Sequence, residues 1–211
     1  MFNKHESTTA IVTIWVFHLA AMIGVSLGYQ DWFIPKTPLN LWVSLLLFIW
    51  AFPVDSIKKI IAFSIFFVGG FFAEWLGVNY GILFGIYAYG ENFGLKIGEV
   101  PILIGAYWAL LTFVTGAMAS HFTKNAWLQI IGAAVLMVVL DYFMEQLAPV
   151  FDYWTFEGSI APLTNYITWF VLALLFQLVL YLFKIKGDTK LSFHYYGVQL
   201  LFFVFFYFSF T

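Results

Sequence analysis

Cysteine is absent from the 211 residues, so disulfides, iron–sulfur ligation and thiol nucleophiles are excluded. Arginine is absent as well, because nine lysines account for the whole Lys+Arg count. That weighs against enzymes that clamp diphosphates with Arg and Lys around magnesium. Charge of either sign is scarce. Only 9% of residues are charged, against about 25% in a soluble domain whose surface must face water. At a net charge of -2 the chain offers no basic surface for nucleic acid. What is abundant is apolar and aromatic: 63% hydrophobic residues and 23% Phe, Trp and Tyr. Lipid is the solvent this composition suits.

Apolar runs occupy 10–29, 39–54, 59–78, 100–120, 126–147, 162–183 and 191–210. A helix needs about 20 residues to cross the hydrocarbon, and the run at 39–54 falls short of that. The pattern predicts an all-α polytopic membrane bundle of about seven transmembrane helices, or six plus a short or re-entrant one. With no internal repeat and no low-complexity linker, one transmembrane domain over 1–211 is expected. The stretch before the first run has no small-residue cleavage site, so that run reads as a span and not a signal peptide.

Lysines stay on the cytoplasmic side of spans. With seven spans, Lys4, Lys58, Lys59, Lys124, Lys184, Lys186 and Lys190 share one side, against Lys36 and Lys96. If 39–54 does not cross, Lys4 and Lys36 exchange sides and the ratio is unchanged. Either way the loops 79–99 and 148–161 are expected on the non-cytoplasmic side.

Ionisable residues inside spans cost roughly 2.5–3.5 kcal/mol each on the insertion scale, so Glu74 and Asp141 need a reason to be there. Each lies 15 residues after the cytoplasmic start of its run, about 22 Å up at 1.5 Å per residue. Glu145 follows Asp141 by four positions and shares its helix face. Glu91, Glu99, Asp152 and Glu157 occupy the adjoining loops. Trp75, Tyr80, Tyr87, Tyr89, Tyr107, Tyr142, Tyr153, Trp154 and Tyr166 crowd the same layer, with Trp108, Asn165 and Trp169 entering from its side. Two explanations stand: an interfacial aromatic belt with an acid pair that only ties helices together, or a functional site. The histidines His5, His18, His121 and His194 are scattered, without the clustering a di-iron site requires, and no metal or redox cofactor is expected.

Three stretches resemble the membrane carotenoid hydratases of bacteria and archaea, the gamma-carotene and bisanhydrobacterioruberin hydratases among them. The first is Glu74-Trp75-Leu76-Gly77 with Tyr80-Gly81-Ile82-Leu83-Phe84-Gly85-Ile86-Tyr87-Ala88-Tyr89, then Val100-Pro101 and Trp108. The second is Asp141-Tyr142-Phe143-Met144-Glu145, running to Phe151-Asp152-Tyr153-Trp154; the third is Pro162, Asn165 and Trp169. The likeness covers about residues 70–170. Gln146 departs from it, standing where that family's acidic position is usually followed by proline.

The resemblance implies carotenoid biosynthesis by cofactor-independent hydration. Water adds across the terminal C1=C2 bond of an acyclic carotenoid end, giving a tertiary 1-hydroxy-1,2-dihydro end group. A carboxylic acid protonates C2, aromatic faces stabilise the C1 cation, and water captures it. On this reading Asp141 is the general acid, Glu74 holds or replenishes the proton, and Glu145, Asn165 and Asp152 position water. Tyr80, Tyr87, Trp108, Trp154 and Trp169 wall the cation. The implied partners are the lipophilic carotenoid, the bilayer and other carotenoid biosynthesis enzymes, and the implied location is a bacterial cytoplasmic membrane with the site in its non-cytoplasmic half. A carotenoid cyclase shares the protonation step and stays open as an alternative. So does a small-ion transporter built on Glu74 and Asp141. A retinal-type receptor is disfavoured, since no lysine lies between Leu191 and Thr211 to form a Schiff base. A prenyltransferase is disfavoured by the missing aspartate-rich magnesium motifs.

Overall fold

The computed structural model describes residues 4–210; the Met-Phe-Asn start of the N-terminal stretch and Thr211 lie outside them. Among the described residues seven helical segments are long and apolar enough to cross a membrane. Helix α1 is Lys4–Ser26. A short α2 (Gln30–Phe33), a 3-10 turn (Ile34–Lys36) and α3 (Thr37–Ala51) follow one another without a break. Together Gln30–Ala51 make a single 22-residue segment. The open question about 39–54 is thereby answered in favour of a full-length segment. Pro35 and Pro38 interrupt the apolar run in sequence but not the helix, because they fall in first turns where a missing N–H costs nothing.

The remaining helices are α4 (Ile57–Tyr80), α5 (Ile102–Phe122), α6 (Ala126–Leu147), α7 (Leu163–Leu182) and α8 (Thr189–Phe210). Their starts are marked by caps. Ser56 accepts the Lys59 N–H, and Asn125 accepts the Leu128 N–H at 3.1 Å. Pro101 and Pro162 stand directly before α5 and α7. Helix α4 ends on Gly81, whose φ of 65° is the left-handed cap glycine adopts without strain.

Helix α5 is the axis. It carries no Asp, Glu, Lys or Arg, is buried on nearly every side, and packs against α3, α4, α6, α7 and α8, as expected of a largely apolar helix at the centre of a bundle. Small residues let its neighbours approach. A Cβ on Gly70 of α4 would overlap Trp108 of α5, and one on Gly105 of α5 would crowd the Phe67 carbonyl. Helices α1 and α8 pack together beyond this core. Buried polar side chains tie the bundle: the Gln177 amide donates to Thr112 O at 2.9 Å and to Thr115 Oγ1 at 3.0 Å. The Tyr195 hydroxyl donates to Ser44 O. Two of the scattered histidines serve packing. His194 Nδ1 accepts the Trp15 indole N–H at 3.1 Å, and His18 is buried with its Nδ1 2.9 Å from Ile14 O.

Four very short strands, which the apolar pattern does not reveal, organise the loops at one end of the bundle. Strand β1 (Tyr87–Tyr89) pairs antiparallel with β4 (Trp154–Phe156), Tyr87 opposite Phe156 and Tyr89 opposite Trp154. Strands β2 (Lys96–Ile97) and β3 (Val100–Pro101) form a second pair. In β1 and β4 the outer residues are buried and the middle one exposed, the period of two that a pleated strand imposes. The ribbon thus turns Tyr87, Tyr89, Trp154 and Phe156 toward the helix ends. Gly90, just after β1, lies so close to Asp152 that a side chain there would overlap it.

Candidate active site

Glu74, Trp108, Asp141 and Trp169 each stand six residues from the end of their helix, and these four ends face the β1–β4 ribbon. At 1.5 Å per residue that is a layer about 9 Å inside the bundle. The helices alternate in direction, so four separated stretches of sequence deliver side chains to one level.

Glu74 is 3% exposed and fully engaged. Its Oε2 accepts the hydroxyls of Tyr87 at 2.5 Å and Tyr89 at 2.9 Å, and its Oε1 accepts the Trp108 indole N–H at 3.0 Å. Three donors from α5 and the ribbon converge on one carboxylate, an environment suited to a fixed anion. Tyr87 and Tyr89 lie outside the helices. Burial, followed by the facing Glu74 carboxylate, pushes both hydroxyls well above the usual tyrosine range, so they remain donors.

Asp141 is differently placed. It is wholly buried, and its Oδ2 accepts the Asn165 amide at 3.1 Å, while Oδ1 has no hydrogen-bond partner. The same amide nitrogen donates to Glu145 Oε1 at 3.0 Å, and Glu145 Oε2 accepts the Trp154 indole N–H at 2.8 Å. Asn165 therefore bridges two acids one helical turn apart on α6. Trp154 links this half to the first, since its ring lies 5.9 Å from that of Tyr89. Trp169 stacks on Trp108 with ring centroids 3.8 Å apart and planes 19° from parallel.

Of the residues singled out from sequence, Asp141, Glu74, Glu145, Tyr87, Trp108, Trp154, Asn165 and Trp169 come together here. Tyr80 and Asp152 do not. Tyr80 is 63% exposed at the end of α4, its ring edge-on to Trp75. Asp152 accepts the Glu91 N–H through Oδ2 at 3.0 Å and shapes the loop beside the ribbon. Tyr89 is a full member of the site that the sequence placed only in the aromatic layer; the alternation in Tyr87-Ala88-Tyr89 was its signal. Gln146 does not disturb the helix, since α6 continues to Leu147.

Two neighbouring spaces complete the picture. A cavity of about 60 Å³ is lined in part by Asn40, Tyr107, Met144, Tyr153 and Gln199. Tyr107 donates to Gln199 Oε1 at 2.9 Å and touches Met144, one turn from Asp141, while Asn40 Oδ1 is buried without a partner. Polar lining and room of this order suit one or two water molecules. An apolar groove of about 390 Å³ runs over Val135, Val138, Val139, Tyr142, Phe143 and Phe170 on the outer side of α6 and α7. Among the described residues no three metal-ligating side chains are grouped to hold an ion.

Comparison with known proteins returned no match among curated proteins and none among solved structures. A sequence-family model described as "Carotenoid biosynthesis protein" matches residues 38–211, which include all but the first residue of α3, every later helix and every side chain of the site. The chain belongs to that carotenoid biosynthesis family.

Proposed function

We propose that the protein is a carotenoid hydratase and that Asp141 is its general acid. The observation that carries this reading is the asymmetry of the two buried acids: Glu74 has every oxygen occupied by donors, while Asp141 Oδ1 is buried and open. A carboxyl proton on Oδ1 transfers to C2 of the terminal isopropylidene group, and the C1=C2 π electrons form the new C–H bond. The tertiary cation left at C1 faces a layer rich in Tyr and Trp rings, whose quadrupoles are worth about 2 kcal/mol or more to a desolvated cation. Water adds to C1 and returns a proton to the Asp141 carboxylate, so the enzyme ends as it began. Asn165 holds Asp141 and Glu145 in register for this exchange. The small polar cavity beside Tyr107 is a reservoir for the water, and the apolar groove along α6 suits the polyene.

The origin of the added atoms tests the reading. Turnover in heavy-oxygen water should place the label in the new hydroxyl, and turnover in deuterated water should place deuterium at C2. Oxygen drawn from molecular oxygen would make the protein a hydroxylase. A product isomeric with its substrate would make it a cyclase, which protonates the same bond but closes the cation with an internal alkene.

A further inference from the structure

A cavity of about 660 Å³ lies at the opposite end of the bundle from the carboxylates. It opens between the C-terminal end of α5, the start of α6, the end of α7 and the loop into α8, and its size is that of a ligand site. Lys124, Lys184, Lys186 and His121 stand around it, with Gln129 and Thr189 between them. No carboxylate lines it. The nearest acid in sequence, Asp188, accepts the Leu191 N–H at 3.0 Å and is committed to starting α8. Among the described residues Lys124, Lys184 and Lys186 form no ion pair with a carboxylate, whereas Lys59 and Lys96 each do. Lys184 has a φ of 54° at the end of α7, a conformation that favours glycine. The chain thus keeps a cation at the rim where glycine would close the helix more easily.

We propose that this cavity binds the phosphate headgroup of an anionic membrane lipid. The lysine rim supplies charge and donors to the phosphate, and basic pockets between transmembrane helices are suited to such headgroups. Farther from the helix ends the lining includes Gly116, Ile130 and Leu180 beside Gln177, apolar surface that suits the start of an acyl chain. The flanks carry exposed Phe122, Trp127, Leu128, Tyr181 and Leu182, an interfacial belt that sets the rim at headgroup level. A soluble phosphate would find the same lysines but would have no use for the apolar interior or the belt. The site is independent of the hydration chemistry and stands or falls without it.

The test uses the full chain in non-ionic detergent, offered phosphatidylglycerol and phosphatidylcholine of identical acyl chains, with retained lipid read by native mass spectrometry. Phosphatidylglycerol should be retained preferentially, and the Lys124→Gln/Lys186→Gln protein should lose that preference by about fivefold per lysine removed. The Lys36→Gln/Lys58→Gln protein, with the same change in net charge, should keep it. Inorganic phosphate should not displace the lipid. Equal retention of the two lipids, equal loss in both double variants, or displacement by inorganic phosphate would each overturn the proposal. Should the first variant not fold, photoactivatable phosphatidylglycerol on the unmodified protein decides. Crosslinks are expected within 116–130 or 177–189, and crosslinks only elsewhere would reject the site.

Discussion

At the scale of single residues, two acids that look equivalent in the chain are held in opposite ways. Glu74 accepts three hydrogen bonds, and Asp141 accepts one while leaving Oδ1 bare. Asp141→Asn keeps the size and the polarity but has no proton to give. Turnover should fall by about 10²–10⁴, the usual contribution of a general acid, with the protein still expressed in membranes. Glu74→Gln should fold too, because its carbonyl can still accept the Trp108 N–H while Tyr87 and Tyr89 turn to accept from its amide. It should lose less activity than Asp141→Asn. Near-normal turnover by Asp141→Asn in a pigment assay would pass the donor's role to Glu145. That Glu74 and Asp141 stand out was legible in the sequence, since charge inside a span is costly enough to demand a use. Which of them is saturated was not legible, because the answer depends on hydrogen bonds from Tyr89 and Trp108, 15 and 34 residues away from Glu74.

The tyrosines of this end also set a pH limit. Tyr153 is buried against Phe93, and burial pushes its hydroxyl up to about 12 despite the hydrogen bond with Thr37 that opposes the shift. In the unfolded chain a tyrosine ionises near pH 10. Between 10 and about 12 the unfolded state therefore binds fewer protons than the folded one, and stability falls as pH rises. Tyr87 and Tyr89 act in the same direction. The thermal midpoint in detergent should decline across that window, and Tyr153→Phe should make the decline shallower. A midpoint that holds level up to pH 12 would show that these hydroxyls are not sealed from water.

Among elements, the site depends on how closely α4 approaches α5 and on how the β1–β4 ribbon covers them. Gly70 permits the first, since Trp108 occupies the space its Cβ would need. Gly70→Ala should cost roughly 1–3 kcal/mol of stability, the typical penalty of overpacking. It should also reduce activity by moving the Trp108 N–H off Glu74. Gly132 on α6 is the control: nothing lies near the position of its Cβ, so Gly132→Ala should be neutral or slightly stabilising, as for an open helix position. Equal thermal midpoints for the two alanine variants would mean that α4 and α5 relax apart without consequence. The helices were readable because each carries a long apolar run. The ribbon was hidden because strands of three residues offer too few alternations to separate from chance. Its register, which brings Tyr89 opposite Trp154, comes from pairing residues 65 positions apart and not from any local pattern.

For the whole molecule, the two ends of the bundle are chemically unlike. One end carries the buried acids, the aromatic ribbon and Glu91, Glu99, Asp152 and Glu157 in its loops; the other carries Lys124, Lys184, Lys186 and Lys190. Since Gln30–Ala51 is long enough to cross, seven spans carry the chain back and forth, and these lysines fall together with Lys58 and Lys59 on one side. By the lysine-retention rule we propose that this side faces the cytoplasm and that the ribbon, with the acid layer beneath it, lies across the membrane. The native chain has no cysteine, so single cysteines report without background. In intact cells a membrane-impermeant thiol reagent should label Glu157→Cys, which is exposed just beyond β4. The same reagent should reach Lys124→Cys, exposed between α5 and α6, only after the membrane is opened. The opposite pattern would invert the molecule, putting the acid layer in the cytoplasmic half and the lysine-rimmed cavity at the outer surface. Labelling of both sites in intact cells would show that an odd number of spans does not separate them. In either case the arrangement of Glu74, Asp141 and Asn165 within the bundle would stand, and only the side from which water and proton reach it would change.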